Sequence, residues 1–219
     1  MKKSRFTEEQ IAYALRNAEA GTPVADARAI ELVDSSFVLI HPFDDPFLWN
    51  GHASLGDELA EDGIKPDLIV LSVGGGGLLS GVLEGLVRNG WHDVPVAAVE
   101  TQGTASLAAS MNEGAHVAIP GVSGIATSLG AAKVCQRAYE LSQEMAVHSV
   151  VVSDLQALSA CRGFLDDHRV VVEPACGATL ALGYEPSLLP VQGRDVLYVV
   201  CGGATASVEM LDNWLAANC

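Results

Sequence analysis

The sequence predicts an α/β protein built on an open, mostly parallel, twisted sheet with helices on both faces. Three observations carry that expectation: six short apolar runs rich in β-branched residues recur along the 219 residues, they are continuous rather than alternating, and most are separated by helix-length intervals. A strand covered on both faces has no wet side to supply alternation, and parallel neighbours need a crossover between them. In chain order, a helix over 7–20 starts at Thr7 ahead of Glu8-Glu9-Gln10 and stops at Gly21. The first run, 37–41, is followed by a turn in which Asp44 and Asp45 lie between Pro42 and Pro46. The run 68–73 leads through four glycines into a helix from about Leu78 that stops at Gly90. The run 94–99 precedes a segment stopped by Gly114, and 148–152 precedes a helix capped by Ser153 ahead of Asp154-Leu155-Gln156. The runs 170–172 and 196–200 complete the set, and only the last has no helix read after it.

Composition narrows the function. Lys and Arg number 12 against 27 Asp and Glu, and a formal charge of −15 is the wrong sign for gripping a phosphate backbone, so no nucleic acid is expected as partner. Hydrophobic residues make up 49%, which excludes a disordered chain, and no apolar run reaches the ~20 residues of a membrane span. Five widely spaced cysteines without a C-x-x-C pair give neither a zinc site nor a disulfide framework. The start MKKSRFTEEQ has no apolar stretch behind its lysines, so a cytoplasmic protein is expected.

The chemistry concentrates at Gly74, Gly75, Gly76 and Gly77, between a strand and a helix. That geometry presents unpaired N–H groups and the positive end of a helix to an anion, and residues without Cβ let the backbone come close. The alternative is a tight turn with close helix packing. Four glycines cost roughly 0.5–1 kcal/mol each in backbone entropy, which favours a ligand, and Gly76→Val is then expected to abolish binding by blocking its approach. Val82 follows Gly81 where a Walker loop needs lysine, which disfavours a nucleoside triphosphate. A dinucleotide fingerprint is nearly met by Gly75-x-Gly77 with Ser80 in third place and Glu100 near the end of the next strand, so an NAD-type module stays open.

The strings VLSVGGGGLLSGVLEGL (70–86), HPFDDPFLWNGHAS (41–54), VEPACGATLALGY (172–184) and VVCGGATAS (199–207) resemble, in order, the eukaryotic-type L-serine/L-threonine dehydratases. These are pyridoxal-phosphate enzymes of fold type II that deaminate serine to pyruvate and ammonia. The resemblance implies that residues 25–219 form the cofactor-binding part of such a protein, a truncated large domain. It implies that Gly74, Gly75, Gly76, Gly77 and Leu78 hold the cofactor phosphate, that Cys201 faces the pyridine nitrogen and that Phe43 lies near the ring. It further implies a monovalent cation held by Glu100 with carbonyls of Gly74, Thr104, Leu129 and Ala131. Ordinary roles stay open to each: Cys201 as a buried hydrophobe, Phe43 as core, Glu100 as a salt-bridge or loop residue.

Two family features are missing. The Schiff-base lysine and the S-x-G-N-A-G-like loop for the substrate carboxylate lie upstream in the family, and 73 residues precede Gly74. The lysines are Lys2, Lys3, Lys65 and Lys133. Lys65 starts the strand whose far end carries the glycine loop, roughly 20 Å away at ~3.3 Å per residue, and Lys133 falls in a stretch read as helix. No catalytic residue is therefore assigned, and the chain alone is expected to be inactive. Residues 1–24 resemble the amino terminus of insertion-element transposases, ending before any recognition helix. They hold four of the 12 basic residues. Loss of the family's front half would uncover apolar surface, so a homodimer is expected, covered through residues 6–20 or the uncovered face. Complementation by a second chain in trans, and a folded relic without ligand, are the other readings.

Overall fold

The computed structural model describes residues 41–218. Its sheet has four parallel strands, β1 (Leu68–Ser72), β2 (Val96–Thr101), β3 (Val147–Val152) and β4 (Val196–Tyr198), in the order β3-β2-β1-β4. The helices are α1 (Pro46–Glu61), α2 (Gly77–Arg88), α3 (Ser106–Glu113), α4 (Gln136–Glu144), α5 (Asp154–His168), α6 (Pro174–Tyr184) and α7 (Val208–Asn218). Short 3-10 turns stand at Thr127–Leu129 and Pro186–Leu188.

The two faces of the sheet build separate cores. Ile69, Leu71, Val96 and Ala98 pack with Leu79, Leu83 and Leu86 of α2 and Ala138 of α4. On the other face Leu68, Val70, Ala97 and Val99 meet α5 and α6 and Leu211 of α7. β2 is buried along its whole length, as its unbroken apolar run requires, whereas Val151 on the edge strand β3 is 41% exposed. Ser153 forms the expected capping box with Gln156. Gly114 ends α3 in the left-handed region, and Gly90 follows the Asn89 cap of α2 with φ +72.

Four expectations are corrected. The run 170–172 is no strand but the connection between α5 and α6: Arg169 turns the chain at φ +60 and Pro174 starts the next helix, leaving no length for a ladder. Val172 is buried there by core packing alone. The final run, 196–200, pairs only through Tyr198 as a strand and is followed by a helix, α7, after a glycine-containing loop. Lys133 lies in a bend ahead of α4, because that helix starts only at Gln136. Of the run 37–41, His41 alone is described and is not in a strand: its Nδ1 accepts the Asp44 N–H at 2.9 Å and closes the turn. The rest of that run, the 7–20 helix and the segment 1–24 lie outside the described residues.

Candidate functional site

Strand order reverses between β1 and β4, and in open parallel sheets that point, at the carboxyl ends of the strands, is where a crevice forms. The chain leaving β1 becomes the glycine loop, and the chain leaving β4 becomes the 199–207 loop. Between them lies a cavity of about 310 Å³. Phe43, Gly74, Gly75, Gly76, Gly77, Leu78 and Cys201 all line it, so the structure gathers every residue expected to hold the cofactor.

The turn that carries Phe43 is built by its own sequence. Asp45 caps α1, its carboxylate accepting the Phe47 N–H at 2.8 Å, and Pro46 occupies the first helical position. The Trp49 indole donates to the Phe43 carbonyl at 2.8 Å. Phe43 is thereby fixed against the glycine loop: a Cβ on Gly75 would stand 2.0 Å from its ring, and one on Gly77 2.7 Å from its carbonyl oxygen. A Cβ on Gly74 would meet the Leu129 Cα at 3.0 Å, and one on Gly76, where φ is +89, the Val134 side chain at 2.5 Å. Gly75, Gly76 and Gly77 are therefore required by protein packing, and Gly74 is tightly fitted against Leu129. The entropy argument for a ligand does not hold, and a Gly76 side chain would enter the core instead of blocking an anion.

What favours an anion is the state of the amides. The first backbone bond of α2 runs from Ser80 N to Gly76 O at 2.9 Å. Ahead of it, the N–H groups of Gly74, Gly75, Gly76, Gly77, Leu78 and Leu79 have no protein acceptor among the described residues. Unpaired donors at the start of a 12-residue helix favour negative charge there.

The opposite wall holds residues that the sequence reading missed. Glu173, the cap residue of α6, accepts hydrogen bonds from the hydroxyls of Ser128, at 2.9 Å, and Thr205. Cys176 Sγ donates to Gly202 O at 3.2 Å and accepts from Gly202 N at 3.3 Å. The only signal was Glu-Pro ahead of a small-residue helix inside the 172–184 string, and it gives no hint of partners 45 and 32 positions away. The Cys201 thiol is pushed above its ordinary pKa, first by desolvation and then by Cys176 and Glu173, so it is neutral near pH 7.

Glu100 is completely buried near the end of β2. Its two oxygens accept the Leu107 and Ala108 N–H groups, both at 2.8 Å, at the start of α3. It is neither a loop residue nor, among the described residues, a member of a salt bridge. Desolvation raises its pKa to about 7 against the opposing pull of these amides. Of the other expected cation ligands, the Thr104 carbonyl accepts Ser106 N at 2.9 Å and the Leu129 carbonyl accepts Ala131 N at 2.8 Å. Ser106 Oγ is buried without a partner among the described residues. Neither described lysine lines the cavity: Lys65 pairs with Asp93 at 2.8 Å near the amino end of β1, and Lys133 is exposed.

A family model described as pyridoxal-phosphate dependent enzyme matches residues 7–202. The chain is 44% identical over 194 residues to an L-serine dehydratase/L-threonine deaminase of Mus musculus, covering 84% of this chain and 59% of that protein. It is 39% identical over 204 residues to an L-serine dehydratase of Dictyostelium discoideum, covering 87% of this chain and 58% of that one. Among solved structures, a fungal L-serine ammonia-lyase from Rhizomucor miehei superposes with a TM-score of 0.77 at 37% identity, covering 85% of this chain and 62% of that one. The chain thus spans about three-fifths of the length of these relatives.

Proposed function

This chain belongs to the pyridoxal-phosphate dependent enzyme family, and from that premise we propose that it is a serine dehydratase-like domain that holds pyridoxal phosphate by its phosphate. The observation that carries this reading is the row of unpartnered N–H groups from Gly74 to Leu79 opening on the same cavity as Cys201. In this reading the amides of Gly75, Gly76, Gly77 and Leu78 bind the phosphate, Phe43 borders the ring, and the neutral Cys201 thiol faces the ring nitrogen without forcing a proton onto it. When bound, the cofactor supplies an electron sink for charge developing at the α-carbon of an amino acid. The substrate class is L-serine or L-threonine, by similarity to the dehydratases.

The described lysines stand outside the cavity, so in this reading the cofactor is held without a covalent link to Lys65 or Lys133, and no serine deamination is expected from the described residues alone. Activity would require a lysine and a carboxylate-binding loop from elsewhere, which keeps complementation in trans as the second reading. An NAD-type site is disfavoured, because both Glu100 oxygens are engaged by buried amides and cannot reach a ribose. A monovalent cation held by Glu100 and the carbonyls of Gly74, Thr104, Leu129 and Ala131 rests on similarity to the dehydratases. It would take the second lone pairs of the Glu100, Thr104 and Leu129 oxygens, which already accept amides, with the unpartnered Ser106 Oγ nearby. We propose a cytoplasmic homodimer; the dimer is supported by β4 pairing only with β1 among the described residues, with Val200, Val208 and Met210 exposed after it. Light scattering showing a monodisperse monomer would overturn the dimer.

Calorimetric titration with inorganic phosphate and with pyridoxal phosphate tests the site. The two ligands are expected to compete, and borohydride is expected to fix no cofactor on Lys65 or Lys133 by peptide mass. Leu78→Pro removes one cradle donor at a first-turn position where proline is tolerated, and should weaken phosphate binding about tenfold or more, the value of one charge-assisted hydrogen bond. Absence of binding in the parent, or unchanged affinity in the variant while its melting transition stays cooperative, would refute the assignment.

A further inference from the structure

In the wall of the cavity opposite the glycine loop, Cys176 holds Gly202 through its thiol, and Glu173 joins three separate segments. The Glu173 carboxylate accepts the Ser128 hydroxyl from the 3-10 turn whose Ser128 and Leu129 backbone abuts Gly74, and the Thr205 hydroxyl from the loop after β4. Its N–H donates to Gly202 O at 3.2 Å, and its carbonyl accepts the Cys161 thiol at 3.4 Å. The 201–205 loop lies so close that a Cβ on Gly203 would stand 2.1 Å from Val171 O. This loop carries Cys201 and has no strand ladder of its own, since β4 ends at Tyr198.

We propose that Glu173 is the positioning residue of this pocket: it latches the 201–205 loop to the cap of α6 and to the 127–129 turn, and so fixes the Cys201 thiol at the cavity. The inference deepens the cofactor reading, on which its functional meaning rests, but the latch itself depends only on contacts within the chain. Removing the latch frees a loop, whereas removing only its charge changes what Cys201 experiences. The titratable groups facing Cys201 are Cys176, on α6, and Glu173, its cap; Cys161, on α5, faces Cys176 and the Glu173 carbonyl. A negative carboxylate there holds the thiol in its protonated form.

The test is iodoacetamide labelling of Cys201 in the full chain, followed across pH by peptide mass, which separates it from Cys219 and the buried cysteines. Glu173→Gln keeps both hydroxyl contacts, one with its direction reversed, and removes the charge. Its labelling profile should move to lower pH, with a faster rate at pH 8, because a nearby negative charge no longer opposes the thiolate. Ser128→Ala combined with Thr205→Val leaves the charge and the Gly202 contacts and removes the two hydroxyl bonds to the carboxylate, and should raise hydrogen exchange severalfold at the Ala206 amide, which closes this loop on Gly203 O. A Glu173→Gln profile that superimposes on the parent, or unchanged exchange in the double variant, overturns the proposal. Phosphate titration of the parent separates the two readings: a shifted profile without phosphate binding leaves the latch standing and removes the cofactor assignment, and binding with an unshifted profile does the reverse.

Discussion

Gly76→Val is expected to destabilise the whole protein by about 2–5 kcal/mol rather than to remove an anion site from an intact fold. Gly76 has φ +89, a conformation that costs an L-residue roughly 1–2 kcal/mol, and β-branching makes it worse. Its side chain would also meet Val134 Cγ2 at 2.5 Å and Ala138 Cβ at 2.6 Å, and overpacking of this kind adds roughly 1–3 kcal/mol. Both neighbours belong to the core between β1, α2 and α4, so neither moves freely. Against a total stability of roughly 5–15 kcal/mol the loss should be plain in urea denaturation, as a lower midpoint at unchanged slope. A variant of parental stability that has lost phosphate binding would show that the side chain faces the ligand, contrary to the packing described above.

The second large effect is a fall in stability with rising pH, set by Glu100. Its folded pKa of about 7 lies above the ordinary 4.5, so the folded state binds the proton more tightly than the unfolded state. The stabilisation is therefore complete below about pH 4.5 and is lost as pH rises to about 7, amounting to roughly 3 kcal/mol over that window. Above it the contribution is flat. Glu100→Gln removes the titrating group while keeping one of two acceptor oxygens, so it should start about 1 kcal/mol below the parent at pH 5 and end above it at pH 8. Urea denaturation of both proteins at several pH values, in tetramethylammonium salts so that no alkali cation pairs with the carboxylate, gives the comparison. Other carboxylates cancel in the difference, and two parallel pH curves would contradict the burial cost assigned to Glu100.

Much of the fold was legible because its signals are local. Continuous β-branched runs at 68–73 and 148–152 became β1 and β3 nearly as read, and Ser153 with Gln156 made its capping box, since each depends on residues a few positions apart. The 170–172 run misled for a complementary reason: valines buried against a core look in sequence like valines in a strand, and only the absence of a ladder partner separates them. Asp45 and Pro46 read as part of a turn, and the structure makes them the cap and the first residue of α1, which sets the turn holding Phe43.

The sequence by itself determined that a glycine loop joins a strand to a helix, that Cys201 follows another strand, and that these belong to a dehydratase-like pattern. Only the tertiary structure decided that both strands end at one crevice, since the place of β4 beside β1 is fixed by pairings between residues more than a hundred positions apart, as in Ile69 with Leu197. It also decided why the glycines are there. The space beside each is occupied by Phe43, Leu129 or Val134, and contact between segments brought together by folding leaves no mark in local composition. The same holds for Glu173, whose carboxylate finds Ser128 and Thr205 only across the closed pocket, and for Glu100, where burial alone turns an ordinary carboxyl into one that titrates near neutrality.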